Sequence, residues 1–173
     1  MNWRVLRLAL AISPALGACR GAGSVRGPAA RSDSAFAALQ VRGQAVMGVD
    51  QYTSAHVFED LADGGRIVLD RDDAADTVGI AAIRRHMRDI ATAFRAGDFA
   101  KPFQVHARGV PGTSVMAARR ATITYEAVDR PRGAEVRIRT WDSGAVAAVH
   151  AFLNFQRTAH HAAGHEAMTG AAH

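Results

Sequence analysis

Residues 121–140, ATITYEAVDRPRGAEVRIRT, decide the fold. Ile123, Tyr125 and Ala127 fall on one side of an extended chain, with Thr122, Thr124 and Glu126 on the other. Arg130-Pro131-Arg132-Gly133 turns the chain, and residues 134–140 then set Val136 and Ile138 opposite Glu135, Arg137 and Arg139. This is a hairpin with one apolar face. Asp142-Ser143 follow as a helix cap, and Val146, Val149, Phe152 and Leu153 continue at helical spacing to about residue 160.

The same order stands earlier in the chain. Residues 56–62 (HVFEDLA) and 66–70 (RIVLD) flank the turn Asp63-Gly64-Gly65. Asp76-Thr77 then cap a helix expected over 78–96, whose stripe is Ile80, Ile83, Met87, Ile90 and Phe94 and which ends at Gly97. Laying Ile80 on Val146 also lays Ile83 on Val149 and Met87 on Leu153. The pattern predicts an internal ββα duplication. One ββα unit leaves its sheet face half covered, whereas two can join four strands and share a core. The expected class is α+β: a four-stranded, mainly antiparallel sheet from two ββα units, with helices 78–96 and 144–160 on one face. Residues 98–120, with Pro102 and Pro111-Gly112, are expected to be a crossover with a short extended piece at Phe103–His106.

Outside this domain, set at 45–160, the chain reads as an export and anchoring device. Arg4 and Arg7 precede the apolar run 8–18, and Leu16-Gly17-Ala18-Cys19 has the form of a bacterial lipobox. Residues 1–18 are therefore expected to be a lipoprotein signal peptide, with Cys19 lipidated and residues 19–44, rich in Gly, Ala, Ser and Arg, a flexible tether. Cys19 is the only cysteine, so no intramolecular disulfide can form. The formal charge of +5 becomes +3 once Arg4 and Arg7 are removed. The basic residues alternate with acids, as in Arg71-Asp72-Asp73, and form no continuous stripe of the kind that grips nucleic acid. The expected setting is the bacterial cell envelope, facing the periplasm or the surface, with the membrane reached through the lipid.

Histidine and methionine are the groups that point to a specific chemistry. His56, His86, His106 and Met116 lie within the domain, and imidazole with thioether suits copper. His160, His161, His165 and His173 crowd the C-terminal segment, a His-rich tail that could wrap a metal ion. His150 flanks its helix stripe and reads as a hydrogen-bonded boundary residue. Enzyme signatures are scarce: the sequence has no His-Glu-x-x-His, no Gly-x-Ser-x-Gly and no phosphate-cradling loop. Asp72, Asp73 and Asp76 lack the Gly and Glu of a calcium loop and read as helix caps.

Residues 47–51 (MGVDQ), 62–65 (ADGG), 110–116 (VPGTSVM) and 152–156 (FLNFQ), with His86 and His150, resemble a family of small exported bacterial proteins. Its members often carry the label aspartate carbamoyltransferase. The resemblance covers about residues 43–165, implies one compact domain, and draws attention to His56, His106 and Met116. It implies no mechanism. Carbamoyltransferase activity is not expected, because the Ser-Thr-Arg-Thr loop that grips carbamoyl phosphate does not occur here. The expected function is a membrane-tethered binding lipoprotein of the envelope, taking copper or another transition metal through His and Met. The alternative is a protein–protein adaptor or structural lipoprotein, with an envelope protein as partner and no small ligand.

Replacing Cys19 by Ser is expected to abolish lipidation and leave the protein unprocessed or unanchored. Metabolic labelling with a radioactive fatty acid and membrane fractionation check this, and unchanged processing and fractionation would remove the lipobox reading.

Overall fold

The computed structural model describes residues 28–49 and 51–162. Four strands form a single antiparallel sheet: β1 (Ser54–Leu61), β2 (Gly64–Arg71), β3 (Ile123–Arg130) and β4 (Gly133–Thr140), in the spatial order β1-β2-β4-β3. Of the five α-helices among the described residues, four precede β3 in chain order: α1 (Pro28–Met47), α2 (Thr77–Arg95), α3 (Ala100–His106) and α4 (Thr113–Ala118). A fifth, α5 (Ser143–His160), follows β4. The architecture is α+β, with a ββα unit at each end of the strand–helix core.

The duplication is visible in the register. Every strand boundary of the second unit lies 69 positions after its counterpart in the first, from Ser54 and Ile123 to Arg71 and Thr140. In the β2–β4 ladder Ile67 faces Val136, its own counterpart. The two units are thus related by a pseudo-twofold that passes between these residues. Gly64 and Gly133 occupy equivalent positions, and each lies against the neighbouring strand: a Cβ on Gly64 would press on the Ile138 carbonyl, and one on Gly133 on the Leu69 carbonyl. Close strand approach demands glycine at both.

Two-residue loops join the strands of each hairpin. Asp76 caps α2 by accepting from the Gly79 N–H at 2.8 Å, and Asp142 caps α5 through the N–H groups of Gly144 and Ala145. Each helix crosses to the other unit's strands: α2 packs chiefly on β3 and β4, and α5 on β1 and β2. Phe94 of α2 meets both Tyr125 of β3 and Phe152 of α5 edge-on, at 5.8 and 5.7 Å between ring centres. Ile83 and Val149 are fully buried in the one shared core. Burial of such a side chain contributes about 1.5–3 kcal/mol.

The opposite sheet face answers the interleaved charges of the sequence. Glu59 and Glu135 are almost fully buried there, beneath arginines. Arg66 pairs with Glu59 and stands 3.7 Å from Glu135, while Arg130 reaches Asp70 at 2.9 Å and Glu135 at 3.4 Å. Carboxylates held out of water in this way require such partners.

Two expectations need correction. Residues 28–44, read as part of a flexible tether, belong to α1, and the folded domain begins well before residue 45. The segment lacks an apolar stripe, but its alanines, arginines, Leu39 and Gln40 are strong helix formers and Pro28 suits a first helical position. Leu39 and Gln40 are buried, and the Arg42 Nε donates to the Val105 carbonyl at 2.7 Å, tying α1 to α3. The piece around Phe103–His106 is likewise helical, not extended. Pro102 falls in the first turn of α3, where proline is tolerated, and the buried Pro102, Val105 and His106 follow helical spacing. Residues 1–27 and 163–173, including Cys19, His165 and His173, lie outside the described residues. No described helix is long and apolar enough to cross a membrane.

Ile83→Asp and Val149→Asp should each destabilise the domain by about 4 kcal/mol or more, since each places an unpaired carboxylate in the shared core. Urea unfolding followed by circular dichroism measures this. A loss below about 1 kcal/mol for either would be incompatible with one core shared by both helices.

Candidate functional site

Four histidines from four different elements line one cavity of about 70 Å³ between the sheet and the helices. His56 comes from the helix-facing side of β1, His86 from the buried stripe of α2, and His106 and His160 from the last positions of α3 and α5. Met47, at the end of α1, and Met87 add thioethers to the same lining. Apart from Gln156 and Lys101 the remaining walls are apolar, with Phe58, Leu69 and Phe94 prominent.

His160 stands between two of the other rings. Its centre is 5.1 Å from that of His106, with the planes perpendicular, and 5.8 Å from that of His56, with the planes nearly parallel. The His106 Nε2 lies 2.9 Å from the Gln156 Oε1. The amide oxygen can only accept, so this bond fixes the proton on Nε2 and leaves Nδ1 as a lone pair. His56 is held by a hydrogen bond to the Ser54 backbone.

Burial keeps these imidazoles neutral. It pulls His56 and His86 from the ordinary 6.5 down to about 4; the Ser54 bond and the Asp72 carboxylate oppose this at His56, and Lys101 reinforces it at His86. His160 falls to about 3, through burial and then through repulsion from His56, His106 and His161. His106 is lowered as well, by burial first and then by Arg108 and Arg42, against its bond to Gln156.

The pseudo-twofold explains why a cavity forms here. Strand positions correspond at an offset of 69 and helix positions at 66, so His56 matches Tyr125, His160 matches Phe94 and His86 matches Phe152. Over the second unit's strands Phe94 of α2 and Tyr125 of β3 fill the slot with ring centres 5.8 Å apart, the separation of His160 of α5 and His56 of β1 over the first unit's strands. The same layout carries large aromatics on one side and imidazoles on the other.

The other sequence candidates lie elsewhere. Met116 is fully buried in the core on α4 and does not line this cavity. His150 points its Nε2 to the carbonyls of Leu61 and Gly64, at 2.9 and 3.0 Å, and pins α5 to the first hairpin. His160 belongs to the final turn of α5 and not to a tail. His161 follows in a left-handed conformation, exposed, with its ring stacked on Phe36 at 4.4 Å. Among the described residues no group of three His, Cys, Asp or Glu side chains is gathered to hold a metal ion. Met47, Met87 and His160 were not anticipated for the site. His160 does carry a signal, because it extends the stripe Val149, Leu153, Gln156 by one more helical step.

Compared with family models, curated proteins and solved structures, the chain finds no match.

Neutral histidines make stability depend on pH with a definite sign. Because the folded values lie below 6.5, the unfolded chain binds more protons in acid. The stabilisation is complete above about pH 6.5 and is lost as the pH falls through 6.5 toward 4 and 3. Urea unfolding at pH 5 should show about 2 kcal/mol or more less stability than at pH 7.5, and His160→Phe should flatten the dependence. A profile unchanged between these pH values would contradict the buried neutral cluster.

Proposed function

We propose that this chain is a membrane-tethered binding protein of the cell envelope, and that its ligand is a copper ion taken up as Cu(I) in the histidine–methionine cavity. The observation that carries the reading is the pair His106 and His160, 5.1 Å apart between ring centres, beside Met47 and Met87 in a cavity with apolar walls. With metal–nitrogen bonds of about 2.0–2.1 Å, two imidazoles on one ion have ring centres about 5 to 6 Å apart.

Neutral imidazole and thioether are soft donors that favour Cu(I), which is stable with few ligands and gains from exclusion of water. His106 would bind through Nδ1, with the Gln156 amide oxygen accepting from the opposite nitrogen and so fixing the ring's orientation toward the ion. No arginine lines the cavity, and Lys101 is the one cationic side chain in its lining. The signal Leu16-Gly17-Ala18-Cys19 supports placement in the envelope.

The test is competition for Cu(I) against a colorimetric chelator under anaerobic, reducing conditions. The protein should withdraw one equivalent tightly. The double variant His106→Phe/His160→Phe should lose that affinity by about 100-fold or more, and Gln156→Leu by about 10- to 100-fold. Deleting residues 163–173 should leave the tight equivalent in place. Failure of the intact protein to compete would remove the copper reading and leave the adaptor role.

A further inference from the structure

The helix α1 lies outside the two ββα units, yet it borders the histidine cavity and a second hollow beside it. Met47, its last residue, lines the cavity. About two and three turns earlier, Gln40 and Phe36 line the second hollow, of about 350 Å³. His56 and His160 belong to both linings, so α1 passes from one hollow to the other across that imidazole pair.

The hold on this helix is local. It packs chiefly on α3, where the Arg42 Nε donates to the Val105 carbonyl at 2.7 Å, one residue before His106. Nearer its start Phe36 stacks on His161, with ring centres 4.4 Å apart and planes 3° apart. Leu39 is buried, but it is not part of the core that the two units share. Gln40 is buried with its Oε1 unpartnered, which costs the docked position of α1 some of its stability.

Beyond the helix the chain is fixed again. Val49 is buried in the shared core. Between it and Met47 stands Gly48, left-handed at φ +65°, with open space where a Cβ would be. A glycine so placed can absorb a rotation of the helix without collision.

We propose that α1 is a hinged cover of the copper cavity, turning about Gly48 to admit Cu(I) and held down once the ion is bound. The inference rests on the copper reading and adds how access to that site is controlled. Met47 brings a thioether to the lining beside His106 and His160 only while α1 is docked, so a bound ion favours the closed position over the open one.

The experiment measures amide hydrogen exchange and copper release on the full chain, with the chelator competition as the check on loading. In the copper-free protein the amides of residues 39–47 should exchange about 100-fold faster or more than those of 83–90 in α2. One equivalent of Cu(I) should slow exchange in α1 about tenfold or more. Phe36→Ala removes the stack and Arg42→Met the bond to α3. The double variant should surrender Cu(I) to the chelator about tenfold faster, with the near-ultraviolet circular dichroism of the core unchanged. Phe36→Tyr keeps the ring and should release at the parental rate. Equal exchange of α1 and α2 without copper would make α1 part of the cooperative core and overturn the proposal. So would exchange in α1 unaltered by bound copper, or release from the double variant at the parental rate. In each of these cases the competition still registers bound copper and the copper reading stands. A parent chain that takes no Cu(I) removes that reading, and the cover with it.

Discussion

The pairing of β2 with β4 is the contact on which the rest of the molecule depends, because it is where the two ββα units become one sheet. Each unit's helix then lies over the other's strands, α2 on β3 and β4 and α5 on β1 and β2. Neither half covers its own apolar face. The core residues Ile83, Val149, Phe94 and Phe152 therefore acquire their burial only when both halves are present. Gly64 and Gly133 permit that approach from equivalent positions, and a side chain at either would hold the central strands apart.

From this frame the cavity follows as a departure from symmetry. The slot that Phe94 and Tyr125 fill in one half is occupied by His160 and His56 in the other, and α3 delivers His106 alongside. Imidazoles are smaller and more polar than the rings they replace, so the slot gains both space and lone pairs. Burial keeps those lone pairs free of protons near neutrality. Packing and chemistry are here two readings of the same substitutions.

The strands, α2, α5 and the duplication were legible because each buries one side against one core, which leaves periods of two and of three to four in the sequence. The helix α1 was not, since its alanines carry propensity without an apolar stripe. The helix α3 is too short to show a period beyond Pro102, Val105 and His106. At the site, His56, His86 and His106 were singled out by side-chain type, His56 and His106 also by the resemblance, and their approach depends on where α3 docks, which no local pattern encodes. Met116 was chosen on the same ground and lies in the core instead. His160 could have been found, because the α5 stripe leads to it.

The self-pairing of Ile67 with Val136 carries a historical consequence. A lone ββα ancestor would have exposed its sheet face, so it could persist only as a homodimer, with two identical copies meeting where these residues now meet. Such a dimer is bound to have two equal slots, and any substitution alters both at once. Fusion into one chain releases that constraint. One slot could then close around aromatics and hold the fold together, while its twin was free to open and acquire imidazoles.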